Sequence, residues 1–554
     1  MKLELQNFIQ QVLAEYAVRK SVELPKDFAY DLIASRDSSH GDFACNAAFK
    51  LTKILREKPA IIADGLLNVL GELKTNECGS MIDRAEIAGG GFINFYLTRN
   101  TFGQLIRQVI DQGDRYGISD YGQGKKVLIE FVSANPTGPL TIAHGRQAAI
   151  GDSLASILTA TGHCVEREYY LNDAGRQMNL LGQSLWARYS TLLGKDRSLP
   201  EDGYQGEYLI DIARKLAGIK GDSLLKLTDQ EASKICMRFA TEEIMTGIKE
   251  DLSAIGVKMD HYFSEGTLYE RNEVEKTLEL LKEKGHLYEQ DGALWFRSTV
   301  FGDDKDRVVR KSSGEATYLA PDIAYHRYKF ERGFCWLINL LGPDHHGYVT
   351  RLKAACQALG HTADDIDVRI VQLTTLFRNG EPVRMSTRAG EFVTLRELVH
   401  EVGPDATRFF FIMRRVESHL DFDLELAKQK SQDNPVYYLQ YAHARIASLI
   451  KFANRPLKVC ANFELLASEE ETALMRQVSE FPKALVAASQ MLEPYRLADY
   501  LREVAVCFHK FYSHHRVVTE DEALTDARLV LVEAARIVLQ NGLRILGISQ
   551  PESM

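Results

Sequence analysis

The chain has 554 residues, 45% of them hydrophobic and 26% charged, with a formal net charge of −9. At roughly 100–200 residues per domain this leaves room for about three or four domains with ordinary cores, and no apolar run of about 18 residues argues for a membrane span. The acidic balance argues on charge alone against a nucleic-acid partner, although a local basic patch is what would decide that.

The N-terminus, "MKLELQNFIQQVLAEYA", is an amphipathic helix and lacks the apolar block and cleavage site of a secretory leader, so the cytoplasm is the expected compartment. Eight cysteines with no C-x-x-C pair predict neither a zinc site nor a disulfide framework; Cys164, Cys335 and Cys356 are expected to be buried reduced thiols. The first hundred residues read as an α+β unit. "AEIAGGGFINFYLT" is a strand, a glycine turn and a second strand. Its glycines lead into a strand rather than a helix, which sets aside a phosphate loop. "GQGKK", Gly122 to Lys126, resembles a Walker A loop only faintly: Ser119 stands at its distal glycine and a strand follows it. From Val127 to about Leu341, β-α-β alternation predicts a doubly wound parallel sheet, with "VLIEFVS" and "CVEREYYL" as strands. A mostly helical, charged insertion runs from about 181 to 294, and Pro321 is expected to open the next helix. "LFRNGEPVRMS" carries an Asn-Gly hairpin turn. "TLRELVHEVG" opens with a capping box of Thr394 and Glu397. From about Asp421 onward the pattern is almost all helix, one helix starting at Asn434-Pro435.

Four segments carry candidate chemistry, each with a bland alternative. "SANPTGPLTIAHGRQ", Ser133 to Gln147, lies at a strand's carboxyl end, where open α/β sheets bind ligands. The helix it opens offers unpaired N–H groups to a phosphate. His144 in the first turn can donate, Asn135 and Thr141 can reach inward, and Pro136, Gly138 and Pro139 stiffen the loop. The alternative is an ordinary βα loop with a satisfied histidine. "LGPDHHGYV" ends a second strand and points Asp344, His345 and His346 at the same crevice. Purine and ribose contacts suit it better than a metal, for which no further ligands stand at workable spacing. In "EATYLAPDIAYHR", Tyr318 and Asp322 are four apart, and a carboxylate beside a phenol suits a guanidinium; a helix-capping aspartate is the alternative. "VRMSTRAG", Val383 to Gly390, is either a loop that closes over a triphosphate or a solvated basic turn.

Taken together and in order, these segments resemble the class I aminoacyl-tRNA synthetases, and the arginyl-tRNA synthetase family most closely. "ANPTGPLTIAH" is similar to the HIGH segment and "RMSTR" falls where the KMSKS loop belongs. "TYLAPDIAYHRYKFERGF" and "LINLLGPDHHGYVTRLKAA" resemble arginyl-enzyme patterns. "HLDFDLELAKQKSQDNPVYYLQYAHARI" resembles the start of the anticodon-binding domain, and "GDFACNAAFKLTK" with "AEIAGGGFINFYL" the N-terminal domain. The resemblance implies an α/β fold: a doubly wound parallel-sheet (Rossmann-like) catalytic core at 116–420, an α+β tRNA-binding domain at 1–115 and an all-α anticodon-binding domain at 421–554. It implies that arginine is joined to tRNA(Arg) with ATP and Mg²⁺ through an arginyl-adenylate, in a monomer. Glu130, Ser133, Asn135, Tyr318 and Asp322 would then hold arginine, Asn135 taking the α-amino group and Tyr318 with Asp322 the guanidinium. Gly138, His144, Gly342, His345, His346 and Met385 would line the ATP site. Thr141, His144, Arg384, Ser386 and Arg388 would serve the reaction. Tyr437, Tyr441 and Arg445 would meet the anticodon loop, aromatic and guanidinium planes being common readers of unstacked bases; core packing at i and i+4 is the alternative for the two tyrosines.

Four positions, in three segments, depart from the family pattern. Thr141 and Ala143 replace the first histidine and the glycine of HIGH, Thr387 replaces the second KMSKS lysine, and Ser553 stands where arginine is frequent. The missing donors open a rival reading, a catalytically impaired synthetase-like protein that binds tRNA or arginine as a regulator. In an active enzyme, Arg388 is the expected substitute cation, with Lys125 and Lys126 second.

Overall fold

The computed structural model describes residues 2–25, 27–35, 40–74, 81–383 and 393–554. The chain divides into two compact units, both discontinuous in sequence.

The smaller unit comprises Met1–Tyr116, Ile446–Glu480 and Val506–Val538. Its sheet is antiparallel and four-stranded, with Leu32–Ala34, Phe43–Cys45, Phe92–Leu97 and Ile82–Ala88 side by side. The expected hairpin is there. Gly89, Gly90 and Gly91 turn it at φ of 51°, 77° and 153°, a path that side chains with a Cβ resist. Helical segments from the far end of the chain pack into the same unit. Arg476 pairs with Asp42, whose other oxygen accepts from the Leu97 N–H at 2.8 Å, and Gly103 lies directly under the Phe463 ring.

The larger unit comprises Gly117–Arg445, Phe481–Ala505 and Leu539–Met554. Its sheet contains β1 (Lys126–Glu130), β2 (Cys164–Leu171), β3 (His261–Ser264), β4 (Trp336–Leu341) and β5 (Ile366–Ile370). All neighbours are parallel, in the order β5-β4-β1-β2-β3. This is the doubly wound order, with its switch point between β1 and β4, where such sheets open a crevice for ligands. The three central residues of β1, Val127, Leu128 and Ile129, are fully buried, which accounts for the three consecutive apolar residues that open "VLIEFVS". Helix α1 (Ile142–Ala160) follows β1 and is buried on nearly all sides. Its small residues allow close approach: a Cβ on Gly151 would stand 2.3 Å from the Phe131 ring. Helix α2 (Leu319–Glu331) precedes β4. Beyond β5, Asn379 and Gly380 take φ of 53° and 81° in the expected hairpin turn, and Thr394 and Glu397 form the expected capping box.

The structure corrects several expectations. The stretch 181–294 is not one helical insertion, because His261–Ser264 within it is the edge strand β3; four residues are too few to show a period. Helix α2 begins at Leu319 with Tyr318 at its N-cap, two residues before Pro321. Leu420–Asp423, where an all-helical region was expected, is a strand paired with Thr374–Arg378. Cys356 is buried, but Cys164 and Cys335 are exposed at strand entrances. Lys125 stands over the Trp336 ring at 5.1 Å, at the amino entrance of β1. That is the far end of the sheet from the crevice, so neither it nor Lys126 replaces a missing loop cation.

The end of the chain is fastened into this unit. Arg408, almost fully buried, donates to the carbonyls of Leu546 at 3.0 Å and Ile255 at 2.7 Å, and to Asp152 on α1 at 2.7 Å. Gly547, at φ 70°, leaves the room: a Cβ there would lie 2.4 Å from the guanidinium. Helix α3 (Pro435–Ala453) starts as expected, with the Asn434 side-chain Oδ1 accepting from the Val436 N–H at 3.2 Å. Its residues to Arg445 belong to the larger unit and the rest to the smaller.

Candidate active site

The crevice forms where the chain leaves β1 and β4. After β1, Val132 and Ser133 take φ of 70° and 38°, and the Ser133 N–H reaches the Phe131 carbonyl at 3.0 Å. This is a γ-turn of the rare positive-φ kind, and a β-branched residue at its centre is strained. Such strain persists where surrounding contacts over-determine it, as at ligand sites. Those contacts come from β2: Tyr169 donates to the Ala134 carbonyl at 2.6 Å and the Tyr170 N–H to Ser133 Oγ at 3.1 Å. Ser133 Oγ in turn donates to Glu130 Oε1 at 3.2 Å. Farther along, Asn135 donates to Gln177 at 2.7 Å. Tyr208 donates to the Thr137 carbonyl, and its ring lies beside Gly138. The prolines and glycine therefore shape a loop held from both sides.

Thr141 is the N-cap of α1. His144 Nδ1 lies 3.2 Å from the Thr141 N–H and accepts from it, which places the ring proton of a neutral imidazole on Nε2. Burial pushes the His144 pKa down to about 4. His144 is thus a neutral donor and a cap for its own helix, near the positive end of the helix dipole. A pKa lowered by folding means that the unfolded chain binds more protons between about pH 4 and 6.5. The stability due to this group is complete above about 6.5 and is lost as pH falls through about 4. His144→Gln is therefore expected to lose stability less steeply than the parent between pH 6.5 and 4 in denaturant titrations; parallel curves would refute this.

Gly342 ends β4 and faces α1: a Cβ there would lie 3.8 Å from the amide of Gln147, a buried side chain. His345 and His346 follow in an exposed turn, the His345 ring standing edge-on to Tyr348 at 5.4 Å. Thr394 bridges back to Thr141, and the Leu395 N–H reaches the Leu140 carbonyl at 2.8 Å. Thr394 and Leu395 therefore lie against the start of α1. Arg384, Met385, Ser386, Thr387 and Arg388 lie outside the described residues.

On the α2 side the site is acidic. Asp322 is half-buried in the first turn of α2. Burial first, then Glu130 and Glu265, push its pKa up to about 7, against the opposing pull of Lys329. Burial with Glu265, Asp322 and Glu130 raises the Tyr170 phenol as well. Asp322 thus feels two further carboxylates, Glu130 and Glu265, beside the Tyr170 phenol, a setting that suits a cation. Tyr318 sits at the rim, 77% exposed. Lys329, Glu265 and Tyr170 escaped the sequence reading. Lys329 lies seven positions after Asp322, a helical spacing that could have pointed to it; Glu265 follows the edge strand β3 and carries no local signal.

Tyr437 and Tyr441 are half-buried on α3 with their rings stacked at 6.1 Å, and Arg445 is exposed. The structure brings Glu130, Ser133, Asp322, His144 and Gly342 to the carboxyl ends of β1 and β4. The three α3 residues form a separate group.

A parallel sheet with this switch point, a HIGH-like helix start and a mostly helical C-terminal region define a class I tRNA synthetase. Residues 105–415 match the model for the class I (R) tRNA synthetase catalytic domain, 3–97 the arginyl tRNA synthetase N terminal domain and 439–554 the DALR anticodon binding domain. An arginine–tRNA ligase of Geobacter sp. (strain M21) is 50% identical over 522 residues, 93% of each chain, and one of Syntrophotalea carbinolica is 46% identical over the whole of both. The chain belongs to the arginyl-tRNA synthetase family. The Thermus thermophilus arginyl-tRNA synthetase structure, at 22% identity, shares the fold, with a TM-score of 0.75 over 98% of this chain and 99% of that one.

Proposed function

We propose that this chain joins arginine to its tRNA with ATP, through an arginyl-adenylate. Besides the family, the observation that carries the reading is the set of three carboxylates, Glu130, Asp322 and Glu265, beside the switch point. Asp322 and Glu130 there take the guanidinium, with Tyr318 closing the rim, and Ser133 and Asn135 orient the α-amino end. ATP, carried in as its Mg²⁺ complex, lies between the α1 N-terminus and Gly342, with Gly138, His345, His346 and Met385 around it. The arginine carboxylate oxygen attacks the α-phosphorus and pyrophosphate leaves. A hydroxyl of the terminal adenosine of tRNA then attacks the carbonyl carbon of the adenylate, releasing AMP. Phosphoryl chemistry of this kind depends on positioning and charge stabilisation more than on a covalent catalyst. His144, as a neutral Nε2–H donor, and the free N–H groups of α1 supply part of that stabilisation. Tyr437, Tyr441 and Arg445 meet the anticodon loop, and the enzyme acts as a cytoplasmic monomer.

Thr141 caps its helix but carries no imidazole, so the remaining cations fall to the 384–388 segment, Arg384 and Arg388 flanking Ser386. Arg388→Ala is expected to slow adenylate formation by about tenfold or more and leave the arginine KM little changed, as for a contact made in the transition state. A wild-type rate would remove Arg388 from the reaction. Charging of tRNA by radiolabelled arginine and ATP tests the whole reading; tRNA and arginine bound with no ester formed would overturn it.

A further inference from the structure

We propose that Lys329 is a positioning residue for the arginine site: its buried ammonium fixes the Glu130 carboxylate and offsets the crowding of Glu130, Asp322 and Glu265, leaving Asp322 free for the incoming guanidinium. The inference rests on the reading of Glu130 and Asp322 as the arginine receptor. Lys329 is 0% exposed and lies two turns after Asp322 on α2. Its Nζ is 2.5 Å from Glu130 Oε2 and 4.0 Å from the centre of the Tyr325 ring. Glu130 is held from two further directions, by Asn339 Nδ2 from β4 at 3.4 Å and by Ser133 Oγ from the β1 loop at 3.2 Å. Its carboxylate is therefore immobilised from α2, β4 and the loop together.

A buried ion pair is weak evidence for stability, since an apolar pair of similar volume often serves as well. Its place explains it better. Asp322 is faced by Glu130 and Glu265 and by Lys329, and its charge is felt by the phenols of Tyr170, Tyr269 and Tyr348. Arg351 stacks on the Tyr348 ring at 5.1 Å, and His326 donates through Nδ1 to the Asp322 carbonyl at 2.8 Å and is kept neutral by burial. Carboxylates crowded without a cation take up protons instead of remaining ionised, and a protonated carboxyl is a poor acceptor for a guanidinium. Lys329 is bound to Glu130 rather than to Asp322, so it relieves the crowding without occupying the acceptor a ligand needs.

The test is the pH dependence of the arginine and ATP KM values, from about pH 6 to 9, in K329M, E130Q, the K329M/E130Q double variant and D322N, with thermal unfolding of each. K329M is expected to raise the arginine KM about tenfold or more at neutral pH, and to shift the pH at which that KM levels off upward by about one unit, with the ATP KM within about twofold. Losing the ammonium alone strands a buried carboxylate and destabilises strongly. If K329M does not fold, the double variant decides: with both charges gone, its arginine profile should coincide with that of E130Q. An unshifted K329M profile, an equal rise in both KM values, or a double variant unlike E130Q would overturn the role of Lys329. D322N with an unchanged arginine KM would instead defeat the underlying site reading.

Discussion

Asp322→Ala is expected to lower kcat/KM for arginine on the order of 10³-fold, with the ATP KM changed by less than about twofold. Removing one member of a desolvated, hydrogen-bonded charge pair costs a few kcal/mol, because the other charge is left unpaired in the site. Here the stranded group would be the guanidinium of the substrate, facing what remains of the acidic pocket. The pH dependence has a defined sign. In the empty site the Asp322 pKa is pushed up to about 7, by burial and by Glu130 and Glu265. A guanidinium favours the ionised form, so binding expels the proton. The arginine KM should therefore fall as pH rises through about 7 and flatten above it, and Asp322→Asn should lose that limb. An arginine KM within twofold of wild type in Asp322→Ala would sink the assignment.

The second large effect is expected at the tRNA. Tyr437→Ala combined with Arg445→Ala should reduce kcat/KM for tRNA by about 10- to 100-fold, because stacking of a base on an aromatic plane is worth about 1–3 kcal/mol. The arginine and ATP KM values should not change. Loss of one phosphate-facing cation should also lower the slope of log affinity against log salt by about one. Unchanged tRNA kinetics, or the same salt slope, would return Tyr437 to core packing and remove Arg445 from the tRNA contact. Deleting everything after Asp421 should abolish charging too, but the fold makes that a poor test. Residues 446–480 and 506–538 help build the unit that contains the N-terminal sheet, while 481–505 and 539–554 help build the catalytic unit. The deletion would strip Arg408 of its Leu546 acceptor and Asp42 of its Arg476 partner, so it would damage both cores at once.

Local chemistry decided much of this protein in advance of any tertiary contact. The apolar centre of β1, Val127 to Ile129, the glycine hairpin at 89–91, the Asn379-Gly380 turn and the Thr394–Glu397 capping box each depend on neighbours within a few residues, and each is legible as a string. The same holds for the loop between β1 and α1, whose prolines, glycine and histidine mark a helix start at a strand's end. What escaped depends on residues far apart in the chain. Strand β3 is four residues long and exists because β2 pairs with it. Lys329 stands with Glu130, 199 positions away, because the end of strand β1 and helix α2 converge there, and Glu265 joins them from just after β3. The shift of Asp322 toward neutrality has no counterpart in its sequence neighbourhood, since it arises from burial and from carboxylates that only the folded sheet brings together. The order of the five strands, the fastening of Leu546 and Gly547 to Arg408, and the sharing of the C-terminal helices between two units were likewise settled by packing. Hydrogen-bond capping and turn conformation act over a few residues, whereas burial and Coulomb energy act over distances in space that the linear chain does not record.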